Sequence, residues 1–167
     1  RDAGVSVDTA RRYLEYLRLS YQVILLQPYF KNITSSVVKT PKIYWLDLGL
    51  LRQLSGYQGE ITGHIYENMV VSELIKWIRT TQRNVEVYFY RTRAGLELDI
   101  ILQLKNGIIG IEIKAREEVS SSDIGPMKEI SAKLGSEWIG GMVIYRGREI
   151  KKLGESHIWA IPSRRLF

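Results

Sequence analysis

The hairpin-forming stretch of residues 96–114 reads L-E-L-D-I-I-L-Q-L, K-N-G, I-I-G-I-E-I-K. Two apolar runs flank the Asn-Gly dipeptide at 106–107, which is the strongest short signal for a tight β-hairpin with a type I′ turn. If these two residues form the loop, Asp99 faces Lys114 across the hairpin. Glu112 then lies diagonally opposite Asp99, within reach of the same bound ion.

In this register Ile101 faces Glu112, Gln103 faces Gly110, and period-two alternation gives the hairpin a polar and an apolar face. The polar face carries Asp99, Glu112 and Lys114. The apolar face carries Leu98, Ile100, Leu102, Leu104, Ile109, Ile111 and Ile113. Two carboxylates beside an ammonium suit metal-assisted phosphodiester hydrolysis. The alternative is a solvated face with an Asp99–Lys114 ion pair.

A third carboxylate lies on a helix predicted over residues 63–80. Glu67 falls on the apolar stripe of that helix, which continues through Val71, Leu74 and Ile78. A carboxylate on a packed helix face is costly unless it is paired or binds a cation, so Glu67 joins the candidate site. The alternative is that Glu67 lies in the first helical turn, where the helix dipole favours an acid.

These acids carry a resemblance to a known family. Glu67 on a helix, Asp99 on a strand and E-I-K at 112–114 resemble the PD-(D/E)XK nuclease superfamily, particularly its archaeal Holliday junction resolvase branch. Longer strings resemble the C-terminal region of prokaryotic AAA-type P-loop ATPases, usually classed as a domain of unknown function with a nuclease-like fold. These strings are G-V-S-V-D-T-A-R-R-Y-L-E-Y-L, P-K-I-Y-W-L-D-L-G-L-L, G-H-I-Y-E-N-M-V-V-S-E-L, Y-R-T-R-A-G-L-E-L-D-I and I-E-I-K. Leu98 departs from the superfamily pattern, which has proline there.

The resemblance, which covers nearly the whole chain, implies an α/β fold. Its expected form is a PD-(D/E)XK αβββαβ core with a mixed sheet, preceded by a partial winged-helix segment. It implies that Asp99 and Glu112 bind Mg²⁺ or Mn²⁺, with Glu67 as a direct or water-mediated ligand and the Ile113 carbonyl as a further one. Lys114 would position water or stabilise the phosphorane.

The implied function is metal-dependent hydrolysis of DNA by the C-terminal region of a P-loop ATPase. The alternative is a catalytically inactive DNA- or protein-binding module that regulates the ATPase domain. Expected partners are DNA and the ATPase domain of the same protein, with homo-oligomer formation left open. The sequence starts at Arg1 instead of Met, which indicates a piece of a longer protein.

A glycine-rich stretch at 54–62 predicts a boundary between segments 1–57 and 58–167. In the first segment, Ser6 predicts the N-cap of a helix ending near Ser20. Strands at 21–29 and 36–47 complete the order of the second half of a winged helix, although the segment could instead only pack beneath the second one. Further elements are expected as strands 86–91, 96–104 and 108–115, a helix at 122–134 ended by Gly135, and strands 138–145 and 157–161.

Composition narrows the chemistry. The chain has no cysteine and only two histidines, His64 and His157, so any metal is expected to have oxygen ligands. It has no G-x-x-x-x-G-K-[ST] motif, so ATP is expected only in the separate ATPase domain. There is no apolar run of membrane-spanning length and no secretory signal, which predicts a cytoplasmic protein without a membrane partner.

The net charge of +6 favours an anionic partner such as nucleic acid. The excess of basic residues is concentrated before residue 58. Arg11 and Arg12 on the first helix, with Arg91 and Arg93 just before the hairpin, are candidate contacts to DNA phosphates. The alternative is that these arginines are solvated surface residues.

Overall fold

The structure is a computed structural model that describes residues 4–30, 37–61, 63–154 and 157–166. In these ranges the helices are α1 (Val7–Leu19), α2 (Leu48–Ser55), α3 (Gly63–Thr80) and α4 (Gly125–Leu134). The strands are β1 (Val23–Pro28), β2 (Lys42–Trp45), β3 (Glu86–Arg91), β4 (Glu97–Leu104), β5 (Gly107–Lys114), β6 (Trp138–Tyr145), β7 (Lys151–Lys152) and β8 (Ile158–Pro162). They form one mixed sheet in the order β2-β1-β3-β4-β5-β6-β8-β7, which confirms the α/β class.

Local sequence signals set several helix ends. Ser6 caps α1 as predicted, accepting a hydrogen bond from the Thr9 amide at 3.1 Å. Gly135 ends α4 at φ 55°. Helix α2 was not predicted: the expected strand ended at residue 47, the glycine-rich stretch began at residue 54, and residues 48–53 were assigned to no element. The Asp47 side chain caps α2 and Gly56 closes it in the left-handed conformation.

Strands from both predicted segments share one sheet. β1 pairs with β2 antiparallel and with β3 in parallel, through Gln27–Tyr88 and Pro28–Phe89. From α3 to β6 the helices and strands follow the order αβββαβ. The partial winged helix and the boundary at residues 57 and 58 stay predictions. Residues 31–36, which include the start of the predicted second strand, lie outside the described residues.

Both faces of the sheet carry an apolar cluster, so the predicted division into one polar and one apolar face is wrong for most of the hairpin. The α3 cluster joins Val70 and Val71 to Ile100 of β4. The α4 cluster joins Met127 of α4 to Ile101 of β4. Helices cover both faces, and the polar residues of the hairpin are therefore confined to one end of the sheet.

The predicted hairpin register is wrong by two residues. Ile101 pairs with Gly110 instead of Glu112, and the turn residues are Lys105 and Asn106, neither of which has positive φ. Gly107 instead starts β5, where a Cβ atom would lie 2.6 Å from the Glu137 carbonyl oxygen. The glycine therefore allows close approach of a distant segment, which the local Asn-Gly signal does not encode.

A β-bulge in β4 overturns part of the predicted alternation. Tyr88 pairs with Ile101 and Tyr90 pairs with Leu98, so three steps along β4 match two along β3. Leu98 consequently packs in the α4 cluster, whereas Ile100, predicted on the same face, packs in the α3 cluster. The intervening residue is Asp99, and the bulge sets the direction of its side chain.

Candidate functional site

The four predicted catalytic residues line one cavity of about 600 Å³. Glu67 comes from α3, Asp99 from the bulge of β4, and Glu112 and Lys114 from the end of β5. Ile113, predicted as a carbonyl ligand, also lines this cavity. The remaining lining residues are Gly63, His64, Gly95, Glu97, Ala115, Arg116 and Pro126.

Asp99 lies between two other carboxylates. The Ile113 amide donates a hydrogen bond to Asp99 Oδ2 at 2.8 Å, which fixes the side chain against β5. Burial, followed by repulsion from Glu112 and Glu67, raises the pKa of Asp99 to about 7. The Asp99 carboxylate is therefore costly to ionise here, and a cation beside it would offset that cost.

Lys42 supplies one such positive charge, and sequence reasoning did not assign it to the site. Its Nζ lies 2.7 Å from Glu97 Oε1, 3.2 Å from Glu67 Oε1 and 3.7 Å from Asp99 Oδ1. Burial acts to lower the pKa of Lys42, but the surrounding carboxylates outweigh it and raise the pKa above its ordinary value. The charged ammonium thus joins β2 to α3 and β4.

Tyr44, two residues along β2, fixes the same glutamate. Its hydroxyl donates to Glu67 Oε1 at 2.5 Å. Burial, with the negative charge of Glu67, raises the pKa of Tyr44, so the phenol stays neutral and remains a donor. Glu67 is the fifth residue of α3, and the first turn contains no acid, so the helix-dipole interpretation of Glu67 is wrong. Its burial is compensated by Lys42 and Tyr44.

Glu112 and Lys114 form the other part of the site. Lys114 Nζ lies 2.6 Å from Glu112 Oε1 on the same strand, and the Asp99–Lys114 ion pair proposed as the alternative is absent among the described residues. Burial raises the pKa of Glu112, although Lys114 counters part of that effect. Glu112 is 8% exposed, and its buried Oε2 has no hydrogen-bond partner in the described ranges.

The donor set suits a hard divalent cation in charge and chemistry. Glu67, Glu97, Asp99 and Glu112 outnumber Lys42 and Lys114 by two charges when all six are ionised. Glu112 Oε2 also offers a buried oxygen with no other partner in the described part of the chain. As arranged, no three Asp, Glu or His side chains of the described residues surround a common metal position. Binding an ion would therefore require side chains in the cavity to move.

The predicted DNA contacts fall in two places. Arg91 Nε lies 3.6 Å from Glu97 Oε2 and lines a neighbouring cavity with Lys42, whereas Arg93 is exposed. Arg11 and Arg12 lie on α1, where Arg11 pairs with exposed Asp8. No α1 residue is among the described residues that line the acidic cavity. Arg91 therefore lies beside the acids, while Arg11 and Arg12 of α1 are not among the residues that line that cavity.

Sequence reasoning missed Lys42, Tyr44, Glu97 and Arg116. Lys42 and Tyr44 alternate along β2, and a lysine and a tyrosine in a short apolar strand are a usable signal for a shared polar role. Arg116 lies at the cavity and pairs with buried Asp123. Asp123 also accepts a hydrogen bond from the amide of Ser120, the N-cap of the 3-10 helix Ser121–Ile124. The basic character of Arg116, next to the E-I-K motif, could have suggested a contact at the site.

All residues that line the acidic cavity fall within the part of the chain that matches a known family. Residues 62–166 match a family model described as Domain of unknown function (DUF4143). The chain belongs to the DUF4143 family. Residues 1–60 match a second model, Domain of unknown function (DUF8612), so Lys42 and Tyr44 lie outside the DUF4143 match. The DUF4143 match confirms one expectation drawn from the resemblance, namely that this region is classed as a domain of unknown function.

Two curated relatives are similar to most of this DUF4143 chain. They are the Uncharacterized protein Mb2031c of Mycobacterium bovis and the Uncharacterized protein Rv2008c of Mycobacterium tuberculosis. Each is 33% identical over 129 residues, which is 73% of this chain and 28% of the relative. The match thus spans little more than a quarter of those proteins. Among the described residues, each helix is too short or too polar to span a lipid bilayer.

Proposed function

We propose that the DUF4143 region is a PD-(D/E)XK-like domain of the Holliday junction resolvase type that hydrolyses DNA phosphodiesters with a divalent cation. One observation carries the proposal: Glu67, Asp99, Glu112 and Lys114 reach one cavity from three different elements. The αβββαβ element order and the unpartnered Glu112 Oε2 support it. A scaffold would have no need to bury this set of charges together.

In this proposal Asp99 and Glu112 hold Mg²⁺ or Mn²⁺, with Glu67 and the Ile113 carbonyl as further ligands. When bound, such an ion lowers the pKa of water and neutralises charge on a phosphate. The Ile113 amide keeps Asp99 oriented toward the cavity. Lys114 donates a hydrogen bond to the attacking water or to a phosphate oxygen, and Glu112 holds its ammonium in place until substrate arrives.

DNA would reach the cavity along basic side chains. Arg116 and Arg91 line cavities that also hold the acids, and Arg93 is an exposed side chain two residues after Arg91. These three arginines would contact phosphates of the bound strand. Arg11 and Arg12 on α1, as part of a partial winged helix, would hold the flanking duplex. Such contacts make affinity depend steeply on salt, because each neutralised phosphate releases counterions.

We also assign the region to the C-terminal part of a P-loop ATPase, in which ATP binds outside these 167 residues. The assignment rests on the resemblance of the longer strings quoted above to the C-terminal region of such ATPases.

One observation favours a second function. Lys42 already supplies a counter-charge in contact with Glu67, Glu97 and Asp99 without any metal. A site completed in this way fits a catalytically inactive DNA- or protein-binding module that regulates the ATPase domain. The two functions share the fold and differ in whether the acids exchange Lys42 for a divalent cation.

A cleavage assay separates these functions. Labelled junction, flap, duplex and single-stranded DNA would be incubated with Mn²⁺ and the chain, or with the full-length ATPase plus ATP. Glu112→Gln and Lys114→Ala should reduce cleavage by roughly 100-fold or more while DNA binding persists. The matched control is Glu118→Gln, because Glu118 is exposed and does not line the cavity.

Three outcomes distinguish the functions. Cleavage that depends on Glu112 supports the hydrolase. Normal DNA binding without cleavage by either protein contradicts hydrolysis and favours the binding module. Absence of DNA binding contradicts both DNA functions and leaves a protein-binding role.

A further inference from the structure

Lys42 reaches the acidic cavity from outside the segment that supplies the acids. It lies on β2, within residues matched to DUF8612, and its strand position is set by pairing with Leu26 of β1. Its side chain is 21% exposed. The ammonium contacts Glu67, Glu97 and Asp99 on α3 and β4. Lys42 is therefore a cation of the DUF8612 segment that contacts acids of the DUF4143 segment.

We propose that Lys42 is an internal counter-cation that competes with a divalent metal ion for these carboxylates, so that β2 sets the metal affinity of the DUF4143 site. The inference rests on the proposed metal-dependent function. Its structural basis is shared oxygens: Lys42 contacts Glu67 Oε1 and Asp99 Oδ1, on two of the proposed metal ligands. A divalent ion bound to the same oxygens would repel the ammonium strongly at this separation.

The geometry also provides a place for Lys42 when a metal binds. Its shortest contact is with Glu97, which is not a proposed ligand and whose side chain is 35% exposed. Glu97 can therefore keep the ammonium at the edge of the cavity. Tyr44 still donates to Glu67 Oε1, so Glu67 keeps its orientation after Lys42 moves. The acids thus exchange one cation for another without losing their supports.

Competition has a distinctive consequence for variants. Without Lys42, the carboxylates repel one another in the metal-free protein, and a divalent ion meets no competing charge. Loss of Lys42 should therefore weaken the metal-free fold and strengthen metal binding together. A lysine that merely supports the fold would weaken the fold without strengthening metal binding.

The test compares the 167-residue chain with Lys42→Met and Lys42→Gln by Mn²⁺ titration calorimetry and by thermal denaturation with and without Mn²⁺. Lys42→Gln keeps a hydrogen-bond donor and serves if Lys42→Met does not fold. The control is Lys39→Met, which removes an exposed lysine from the same segment. We expect Mn²⁺ to bind the Lys42 variants roughly tenfold or more tightly than wild type. Mn²⁺ should also raise their Tm more than that of wild type, and Asp99→Asn in the same background should remove both gains.

The outcomes separate this inference from the proposed function. Tighter binding by the Lys42 variants supports it, including the case in which wild type binds no Mn²⁺ at all. Equal or weaker binding by the variants, with Mn²⁺ bound by wild type, overturns the role of Lys42 and leaves the metal site standing. If neither wild type nor the variants bind Mn²⁺, the inference and the proposed metal function both fall.

Discussion

Lys42 and Lys114 both neutralise carboxylates at the cavity, but their surroundings differ. Lys42 contacts acids from two other elements, α3 and β4, and Tyr44 holds one of those acids as well. Lys114 contacts Glu112 on its own strand, and Glu112 Oε2 remains without a hydrogen-bond partner among the described residues. The difference indicates that the Lys42 side joins elements of the fold, whereas the Lys114 side is open to a ligand.

The largest expected effect is the loss of stability when Lys42 is replaced. Lys42→Met should lower the free energy of unfolding by about 2–3 kcal/mol in metal-free buffer, because partly buried carboxylates lose their counter-charge. Lys114→Met should cost less, about 1 kcal/mol, since it removes a single ion pair and the Lys114 side chain is itself 31% exposed. Urea denaturation of both variants measures the two costs. Equal costs would contradict the assigned difference between the two lysines.

The second prediction concerns pH. The folded pKa of Asp99 lies near 7, above its ordinary value of 3.8, so the folded state retains this proton more strongly than the unfolded chain. The resulting stabilisation is complete below about pH 4 and is lost as pH rises through 7. Asp99→Asn should therefore gain on the order of 1–3 kcal/mol relative to wild type above pH 7 in metal-free buffer, and the gain should disappear toward pH 4.

Denaturant unfolding at several pH values measures this gain. Asp8→Asn is the matched control because Asp8 is exposed on α1. Wild-type and Asp99→Asn stabilities that stay parallel across this pH range would show that burial and the neighbouring carboxylates do not raise the pKa of Asp99.

A smaller effect tests the support of Glu67. Tyr44→Phe removes the hydroxyl that donates to Glu67 and changes no formal charge. We expect a loss of about 1–2 kcal/mol in the free energy of unfolding, because the acceptor is charged and partly buried. Tyr13→Phe on the exposed face of α1 should change stability by less than about 0.5 kcal/mol. A Tyr44→Phe variant as stable as wild type would show that Lys42 alone holds Glu67.

The smallest effect concerns DNA binding. Arg91→Gln should reduce the slope of log affinity against log salt by about 0.9 if Arg91 neutralises one phosphate of duplex DNA. Fluorescence anisotropy over a range of salt concentrations measures the slope, with Arg79→Gln as a control outside the predicted DNA contacts. An unchanged slope for Arg91→Gln would remove Arg91 from the DNA-binding surface.

Local patterns predicted the elements whose signals lie within them. The bounds of α3, β3 and β6 match their predictions, because apolar periodicity and β-branched runs are properties of the segments themselves. The hairpin register could not be derived in the same way. Its position depends on the packing of Gly107 against Glu137, thirty residues away in sequence.

The residues of the candidate site likewise fall into those that local patterns predict and those that depend on tertiary pairing. Glu67, Asp99, Glu112 and Lys114 could be selected from their local patterns, and the fold brings them to one cavity. The alternation of Lys42 and Tyr44 indicates at most a shared polar role, and the acids that Lys42 contacts are known only once β2 joins the sheet and meets α3. Tertiary pairing, which a local pattern does not contain, therefore determines the charge balance of the site.

Anomalous diffraction from crystals soaked in Mn²⁺ tests the metal site most directly. We expect a manganese peak in the acidic cavity, about 2.2 Å from carboxylate oxygens of Asp99 and Glu112, with Lys42 displaced toward Glu97. The peak should be absent from Asp99→Asn crystals soaked under the same conditions. A wild-type cavity without a peak at saturating Mn²⁺, and with Lys42 still on Glu67 and Asp99, would contradict metal-dependent hydrolysis at this site.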